Sequence, residues 1–192
     1  MDKVFSNSIK FIKTRRVKTP TRASVYEAGI DFYVPEDLTW SDLEKSNQNI
    51  KGFEFGRDFT VHPKVNRETG FIEKVVMCPG TRLVIPSGIK CLIDPPFSAL
   101  IAANKSGVST KFGLTFTAEV VDSTYTGEIH LGVANHTRHS VSIYAGQKLL
   151  QFIHTPLYLT EMTEITLDEF KEECNNSFRS RGENWQGSTD KK

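Results

Sequence analysis

The sequence has no long apolar run and almost no net charge. Its longest wholly apolar stretch, residues 99–103, has five residues, whereas a membrane-spanning helix needs about 20. The first residues, Met-Asp-Lys-Val-Phe-Ser, lack the apolar segment of a secretory signal, so we expect neither secretion nor a membrane partner. With 24 basic and 23 acidic residues, the chain also lacks the basic excess of a general duplex-binding protein. An anionic ligand would therefore be held by a few placed groups.

Cysteine is also scarce. The three cysteines, Cys78, Cys91 and Cys174, are odd in number and widely spaced. They fit neither a disulfide framework nor a paired-cysteine metal site, and they suit a reducing compartment. We therefore expect a cytoplasmic protein, in the host cytoplasm if a virus or phage encodes it. The length of 192 residues and 38% hydrophobic content indicate one folded domain with a real core, which excludes an intrinsically disordered chain.

Strand signals dominate the sequence. Thirteen Phe residues, with many Thr, Val and Ile, recur in short runs interrupted by Gly, Pro, Asn and Asp. Several short strands at this spacing are typical of an all-β sandwich, jelly roll or barrel. The predicted strands are 28–34, 81–85, 89–93, 97–103, 114–121, 128–135, 141–144 and 149–153, with a turn at 86–88.

Helix signals are few. Residues 166–174 combine a Thr cap, an acidic first turn and helical apolar spacing, which predicts one short helix. A further turn or two is left open at 40–47. Residues 37–74 are polar and aperiodic, so we interpret them as an insertion in a β domain spanning 1–176. Its aromatic residues either pack against the domain or form a surface for a protein partner. Residues 177–192 have the composition of a flexible arm.

Two polar segments could hold phosphate. Residues 104–113 form a loop rich in glycine and hydroxyl groups with two lysines, which would suit phosphate binding or a plain surface turn. Lys148 and Gln151 offer a second cation and an amide near the start of a strand. The arm's Gly182-x-x-x-x-Gly187-Ser-Thr resembles a phosphate-binding loop but lacks its lysine and any flanking strand.

Five short motifs follow one another along the chain. They are Ala-Gly-Ile-Asp-Phe at 28–32, Lys-Ser-Gly-Val-Ser-Thr-Lys at 105–111, Val-Asp-Ser-Thr-Tyr-Thr-Gly-Glu-Ile at 121–129, Gly-Gln-Lys-Leu-Leu-Gln at 146–151 and Arg-Gly-Glu-Asn-Trp-Gln-Gly-Ser-Thr at 181–189. In order and spacing they resemble the trimeric dUTPase family. The third motif, D-x-x-Y-x-G, is the most specific.

The resemblance implies a jelly-roll or β-barrel homotrimer whose active sites each use more than one subunit. It implies hydrolysis of dUTP to dUMP and pyrophosphate with Mg²⁺. Asp122 would be the base that activates the attacking water, and Asp31 would order metal-bound water. The implied substrate-binding residues are Lys105, Ser106, Gly107, Val120, Tyr125, Gly127, Lys148, Gln151, Arg181, Trp185, Ser188 and Thr189. Tyr125 would pack under deoxyribose and exclude a 2′-hydroxyl.

Three departures from the family pattern stand out. Lys105 and Lys148 occupy positions where the family usually has arginine, and lysine loses the bidentate fork. Glu119 stands where the family prefers glycine, and it would crowd the base unless its side chain points away. Trp185 stands one residue before the position of the family's stacking phenylalanine.

Alternatives remain open at this stage. Asp122 and Tyr125 could be an ordinary turn residue and strand tyrosine. The related dCTP deaminases carry a catalytic glutamate at the position of Gly132, so deamination is disfavoured. A dUTPase-like protein kept as a regulator or structural trimer is a rival of another class. His136 and His139 could ligate a metal, but a polar hairpin loop is the preferred interpretation.

Overall fold

The computed structural model describes residues 7–50 and 61–175. The chain divides into two units, 1–158 and 159–192. In the described residues, no helix has the length and apolar character needed to cross a membrane. The first unit holds all the strands of the described chain and two helices, and the described part of the second unit holds one helix. The predicted all-β class is confirmed.

The first unit is built from three antiparallel sheets in a jelly-roll-like arrangement. Their strand orders are β1-β5-β9-β7, β10-β4-β3 and β2-β11-β6-β8. The elements are β1 Ser8–Lys13, β2 Gly29–Tyr33, α1 Trp40–Asn47, β3 Val61–Val65, β4 Ile72–Met77, β5 Arg82–Asp94, β6 Ser98–Asn104, α2 Ser106–Phe112, β7 Leu114–Phe116, β8 Val120–Asp122, β9 Glu128–Asn135, β10 Val141–Tyr144, β11 Lys148–Pro156 and, in the second unit, α3 Leu167–Asn175.

Alternating apolar residues of the strands fill the core. Along β9, Ile129, Leu131 and Val133 are each at most 1% exposed, as expected when every second side chain faces inward. Phe32 of β2 and Phe152 of β11 meet edge to face with ring centroids 4.7 Å apart. This pair packs the sheet that carries most of the candidate site.

Three local predictions are wrong. Residues 81–93 are not two strands joined by a turn but one strand, β5, which keeps its pairing with β9 across a register shift between Pro86 and Lys90. Gly88, at φ +73°, absorbs that irregularity. Residues 104–113 contain the helix α2 rather than a loop. Residues 114–121 form two strands in different sheets, because β7 pairs with β9 and β8 with β6.

The stretch 37–74 contributes to the core where the structure describes it. Leu38, Leu43 and Val61 are at most 1% exposed. The buried Asn47 of α1 donates to the Val84 carbonyl of β5 at 2.8 Å and accepts from the Val84 N–H at 2.8 Å. The helix left open at 40–47 is thus α1. Whether this stretch is an insertion or a partner surface stays a prediction, and Phe53, Phe55 and Phe59 lie outside the described residues.

The predicted helix of the second unit is present as α3. Thr166 and Glu169 form a reciprocal cap: the Glu169 N–H donates to Thr166 Oγ1 at 3.3 Å, and the Thr166 N–H donates to Glu169 Oε2 at 2.7 Å. These cap bonds join residues three apart, which explains why this helix could be read from the sequence.

Candidate active site

The sheet β2-β11-β6-β8 brings three distant charged residues together. Lys105 Nζ lies 2.8 Å from one oxygen of Asp31, and Lys148 Nζ lies 2.8 Å from the other. Asp31 stands on β2 opposite Gln151 of β11, which in turn faces Ala103 near the end of β6. Because Lys105 follows β6 directly and Lys148 begins β11, the register places both ammonium groups at the Asp31 carboxylate.

This Asp31–lysine cluster, formed by Asp31, Lys105 and Lys148, has a clear electrostatic character. Burial raises the pKa of the Asp31 carboxyl, but pairing with Lys105 and then Lys148 outweighs burial, so the pKa is lowered. Pairing with Asp31 raises the pKa of Lys148. The Asp31 side chain is 3% exposed, whereas those of Lys105 and Lys148 are 27% and 41% exposed. The cluster therefore carries one net positive charge whose cationic side reaches solvent.

Gln151 lies beside the cluster and holds the end of β6. Its Nε2 donates to the Asn104 carbonyl at 2.9 Å. Its side chain occupies the space where a Cβ on Gly29 would stand, so the glycine of the first motif is needed for this close approach. Asn104 also accepts the Phe116 N–H at 3.0 Å through its side-chain oxygen. Asn104 was missed by sequence reasoning, because its two bonds depend on strand packing.

The helix α2 begins at this point. Lys105 is its N-cap residue and makes no side-chain cap bond, and Ser106 and Gly107 form the exposed first turn. The first N–H groups of any helix have no partner within the helix. The second motif therefore presents a hydroxyl group and backbone donors next to the Asp31–lysine cluster.

The third motif spans the connection between β8 and β9, which is not a hairpin because the two strands lie in different sheets. We call residues 123–127, which join these strands, the Tyr125 loop. Asp122 is the last residue of β8, and its carbonyl accepts the Tyr125 N–H at 3.0 Å. The Tyr125 hydroxyl donates to the Glu128 carbonyl at 2.9 Å. The phenol ring lies where a Cβ on Gly127 would stand, which requires glycine there. Tyr125 is 43% and Val120 57% exposed, so both offer apolar surface to a ligand.

Within one chain, Asp122 and the Tyr125 loop lie at the opposite end of β6 from the Asp31–lysine cluster. Asp122 pairs with Ala99 at the start of the strand, whereas Lys105 follows its last residue. Ala99 and Lys105 are six positions apart, about 20 Å of extended chain. The fold therefore does not place Asp122 beside the cluster of its own chain.

Two further candidate sites are resolved by the structure. Gly132 is buried in β9, and a Cβ there would meet the Thr117 hydroxyl, so a glutamate does not fit and the deaminase alternative loses its proton shuttle. His136 and His139 lie in a polar connection, where the His139 carbonyl accepts from Asn135 Nδ2 at 2.9 Å. This connection is not a hairpin, since it joins β9 and β10 of different sheets.

Other predicted positions are less informative. Glu119 is exposed, and its carbonyl accepts the Ala102 N–H at 2.6 Å. Arg181, Trp185, Ser188 and Thr189 lie outside the described residues. Across residues 7–50 and 61–175, no group of three or more His, Cys, Asp or Glu side chains is arranged to hold a metal ion.

Comparisons with known proteins agree with the motifs. A protein-family model described as dUTPase matches residues 71–181, more than half of the chain. The deoxyuridine 5′-triphosphate nucleotidohydrolase of the yeast Debaryomyces hansenii is 24% identical over 181 residues, which are 94% of this chain and 86% of that protein. The enzyme of the same name from Variola virus is 25% identical over 178 residues, covering 92% and 95%.

A structural comparison gives the same fold. A variant of the Staphylococcus bacteriophage 80alpha dUTPase, solved with dUpNHpp, superimposes with a TM-score of 0.66 at 18% identity, over 96% of this chain and 99% of that one. The family match includes the second, third and fourth motifs, which supply Lys105, Lys148 and the Tyr125 loop, whereas Asp31 belongs to the first motif and precedes the matched residues. The chain is a member of the dUTPase family.

Proposed function

We propose that this chain hydrolyses dUTP to dUMP and pyrophosphate, with Asp122 activating the attacking water. The supporting observation is that the fold gathers the first, second and fourth motifs at one end of β6 and carries the third motif, with Asp122 and the Tyr125 loop, at the other end. The first group would bind the phosphates. The third motif would recognise the nucleoside and take the proton from the attacking water. Family membership supports the same reaction.

The Asp31–lysine cluster would bind the phosphate chain. Lys105 and Lys148 each share their charge with Asp31, so phosphate oxygens would compete with this carboxylate for the ammonium donors. Ser106 and the first backbone N–H groups of α2 supply further donors. Lysine in place of the family's arginine makes these contacts less directional.

Members of the family generally use Mg²⁺. The donors here fit a metal held chiefly by phosphates and water, because Asp31 is the one carboxylate of the cluster and both its oxygens face lysines. The ion would neutralise charge on the phosphates. Asp31 would order a metal-bound water only by sharing an oxygen with it.

The Tyr125 loop would recognise the nucleoside. The exposed ring of Tyr125 would pack against deoxyribose and leave no room for a 2′-hydroxyl, and Val120 would add apolar contact. Backbone groups of the Tyr125 loop would form hydrogen bonds with uracil. Asp122, exposed at the end of β8, is free to approach a water between the nucleoside and the phosphates, where a carboxylate base is useful.

The complete site would need more than one copy of the chain. One chain holds Asp122 and the cluster about 20 Å apart along β6, so Asp122 and the Tyr125 loop of one copy must meet the cluster of another. The family is generally trimeric, and a closed homotrimer would make three such sites. Arg181, Trp185, Ser188 and Thr189 of the arm would cover the bound nucleotide.

Pyrophosphate release tests the proposal directly. We expect release from dUTP, with kcat/KM for UTP and dCTP lower by about 10⁴-fold or more, since a site built for one hydrogen-bonding edge rejects the wrong one strongly. Comparable values for dUTP and UTP would show that the role of Tyr125 is wrong. Tight dUTP binding without release would favour the regulatory or structural alternative.

A further inference from the structure

Glu128, the first residue of β9, holds the Tyr125 loop through its backbone and its side chain. Its carbonyl accepts the Tyr125 hydroxyl at 2.9 Å. Its carboxylate accepts the Gly88 N–H at 2.6 Å and Arg15 Nε at 3.0 Å. The side chain is only 17% exposed. The position of the Tyr125 ring therefore depends on where Glu128 is held.

Arg15 joins this anchor to a distant part of the chain. Its Nε faces Glu128 at 3.0 Å and its Nη1 faces Asp42 of α1 at 3.0 Å. Asp42 is itself fixed, because its Oδ2 accepts the Thr39 N–H at 2.9 Å in the α1 capping box. Burial lowers the pKa of Arg15, but the two carboxylates outweigh it and raise the pKa. The Arg15 guanidinium thus bridges the carboxylates of Asp42 and Glu128.

We propose that Arg15 is a positioning residue that holds the Tyr125 loop through Glu128 and thereby sets the discrimination between deoxyribose and ribose. The proposal rests on the role of Tyr125 in the proposed function. Without the guanidinium, Glu128 and Asp42 lose their common partner, and the Glu128 side chain keeps only the Gly88 N–H. The Tyr125 loop then loses an ion pair beside the Glu128 carbonyl that accepts the Tyr125 hydroxyl. Excluding a single hydroxyl group needs a ring held within a fraction of an ångström, so discrimination should suffer first.

A purely structural role for Arg15 predicts a different result. It would lower the melting temperature, or kcat/KM for both nucleotides together, and leave their ratio unchanged. The ratio of kcat/KM for dUTP to that for UTP is therefore the decisive readout. It is measured on the full chain beside the melting temperature.

Arg16 offers a matched control on the same segment. Its side chain is 61% exposed, and its Nε lies 3.7 Å from Glu36 Oε2 rather than near the Tyr125 loop. We expect the dUTP-to-UTP ratio of Arg15→Gln to fall by roughly ten-fold, within the 10²-fold that a 1 Å misplacement costs. Arg15→Lys should recover part of the ratio, because an ammonium reaches one carboxylate but not both. Arg16→Gln should match the parent.

Each outcome decides the matter. A folded Arg15→Gln variant with the parental ratio overturns the proposal. If that variant does not fold, Arg15→Lys and Asp42→Asn replace it, and parental ratios in both overturn the proposal equally. A parent chain that does not hydrolyse dUTP overturns the proposed function together with this inference, whereas an active parent with insensitive variants overturns the inference alone.

Discussion

At the scale of single residues, the candidate site separates two kinds of carboxylate. Asp31 is buried and neutralised by two ammonium groups 2.8 Å away, so its charge organises its neighbours. Asp122 is exposed at the end of a strand and has solvent access. A general base needs access to water, whereas a structural counter-ion needs fixed partners. The two aspartates should therefore respond differently to the same substitution.

Asp122→Asn should keep nucleotide binding and lose most turnover. Asparagine preserves the shape and can hydrogen-bond water but cannot accept its proton, and losing a positioned base costs about 10²–10⁴-fold in rate. Single-turnover hydrolysis of dUTP and calorimetric binding of a non-hydrolysable analogue measure the two effects. Glu68→Gln, an exposed carboxylate in the turn between β3 and β4, serves as control. Turnover within a few-fold of the parent would make Asp122 a turn residue.

Asp31→Asn should reduce stability in a pH-dependent way. The folded pKa of Asp31 is lowered, so its contribution is present above its ordinary pKa and is lost as the pH falls through the folded value. We expect a loss of about 1–3 kcal/mol at neutral pH, typical of hydrogen bonds to charged groups. The gap between parent and variant should narrow below roughly pH 4. Denaturant titrations at several pH values test this, and a gap that does not change with pH contradicts it.

At the scale of elements, the second motif is a short helix where the sequence predicted a loop. Glycine and β-branched or hydroxyl residues disfavour helix within 106–112, yet Val108 is buried and Gly113, at φ +63°, ends the helix. Tertiary burial thus outweighs local propensity. Gly107 pays the entropic cost of a helical glycine although a Cβ there would meet nothing within 4 Å. A ligand that approaches its backbone would explain the glycine.

Gly107→Ala should therefore stabilise the protein and impair catalysis. The stability gain should be about 0.4–1 kcal/mol, because alanine lowers the entropy of the unfolded chain and favours helix. The added methyl group should obstruct phosphate, so kcat/KM for dUTP should fall while the melting temperature rises. Thr110→Ala, at an exposed position of the same helix, should raise stability without loss of activity. Unchanged kcat/KM in Gly107→Ala would remove Gly107 from the substrate site.

At the scale of the whole molecule, β6 decides how the site is assembled. Asp122 pairs with Ala99, near the start of β6, whereas the cluster lies beyond Asn104 at the end of the strand. The pairing of β6 with β8 and β11 keeps these two ends apart within one chain. Under the proposed function, assembly of several copies would complete the site. Light scattering should accordingly give about three times 21.6 kDa.

Two inactive variants should restore activity to each other. Asp122→Asn chains retain the intact cluster, and Lys148→Gln chains retain Asp122 and the Tyr125 loop. After mixed refolding, random assembly should leave about one quarter of the sites with both parts intact, since each site draws on two different copies. Pyrophosphate release from the mixture should exceed that of either variant alone. A mixture that assembles but stays inactive would mean that each chain builds its own site.

The sequence by itself determined the features that depend on neighbouring residues. Thr166 and Glu169, three residues apart, form the predicted cap of α3. Ile129, Leu131 and Val133 alternate in the sequence and are all buried, and the predicted strand 128–135 is β9 with the same bounds. Motif order identified Asp31, Lys105 and Lys148 as candidates without showing that they meet. Local bonds and strand periodicity are written in adjacent residues.

Only the tertiary structure decided what depends on register and packing between distant segments. Residues 86–88 have the composition of a turn, yet pairing of β5 with β9 on both sides makes them an irregularity within one strand. Arg15 and Glu128 are 113 positions apart, so no spacing rule could have joined them. The distance between Asp122 and the cluster follows from which end of β6 each adjoins. Ion pairs and sheet register form between residues far apart in sequence, and their energies depend on burial that the folded chain alone creates.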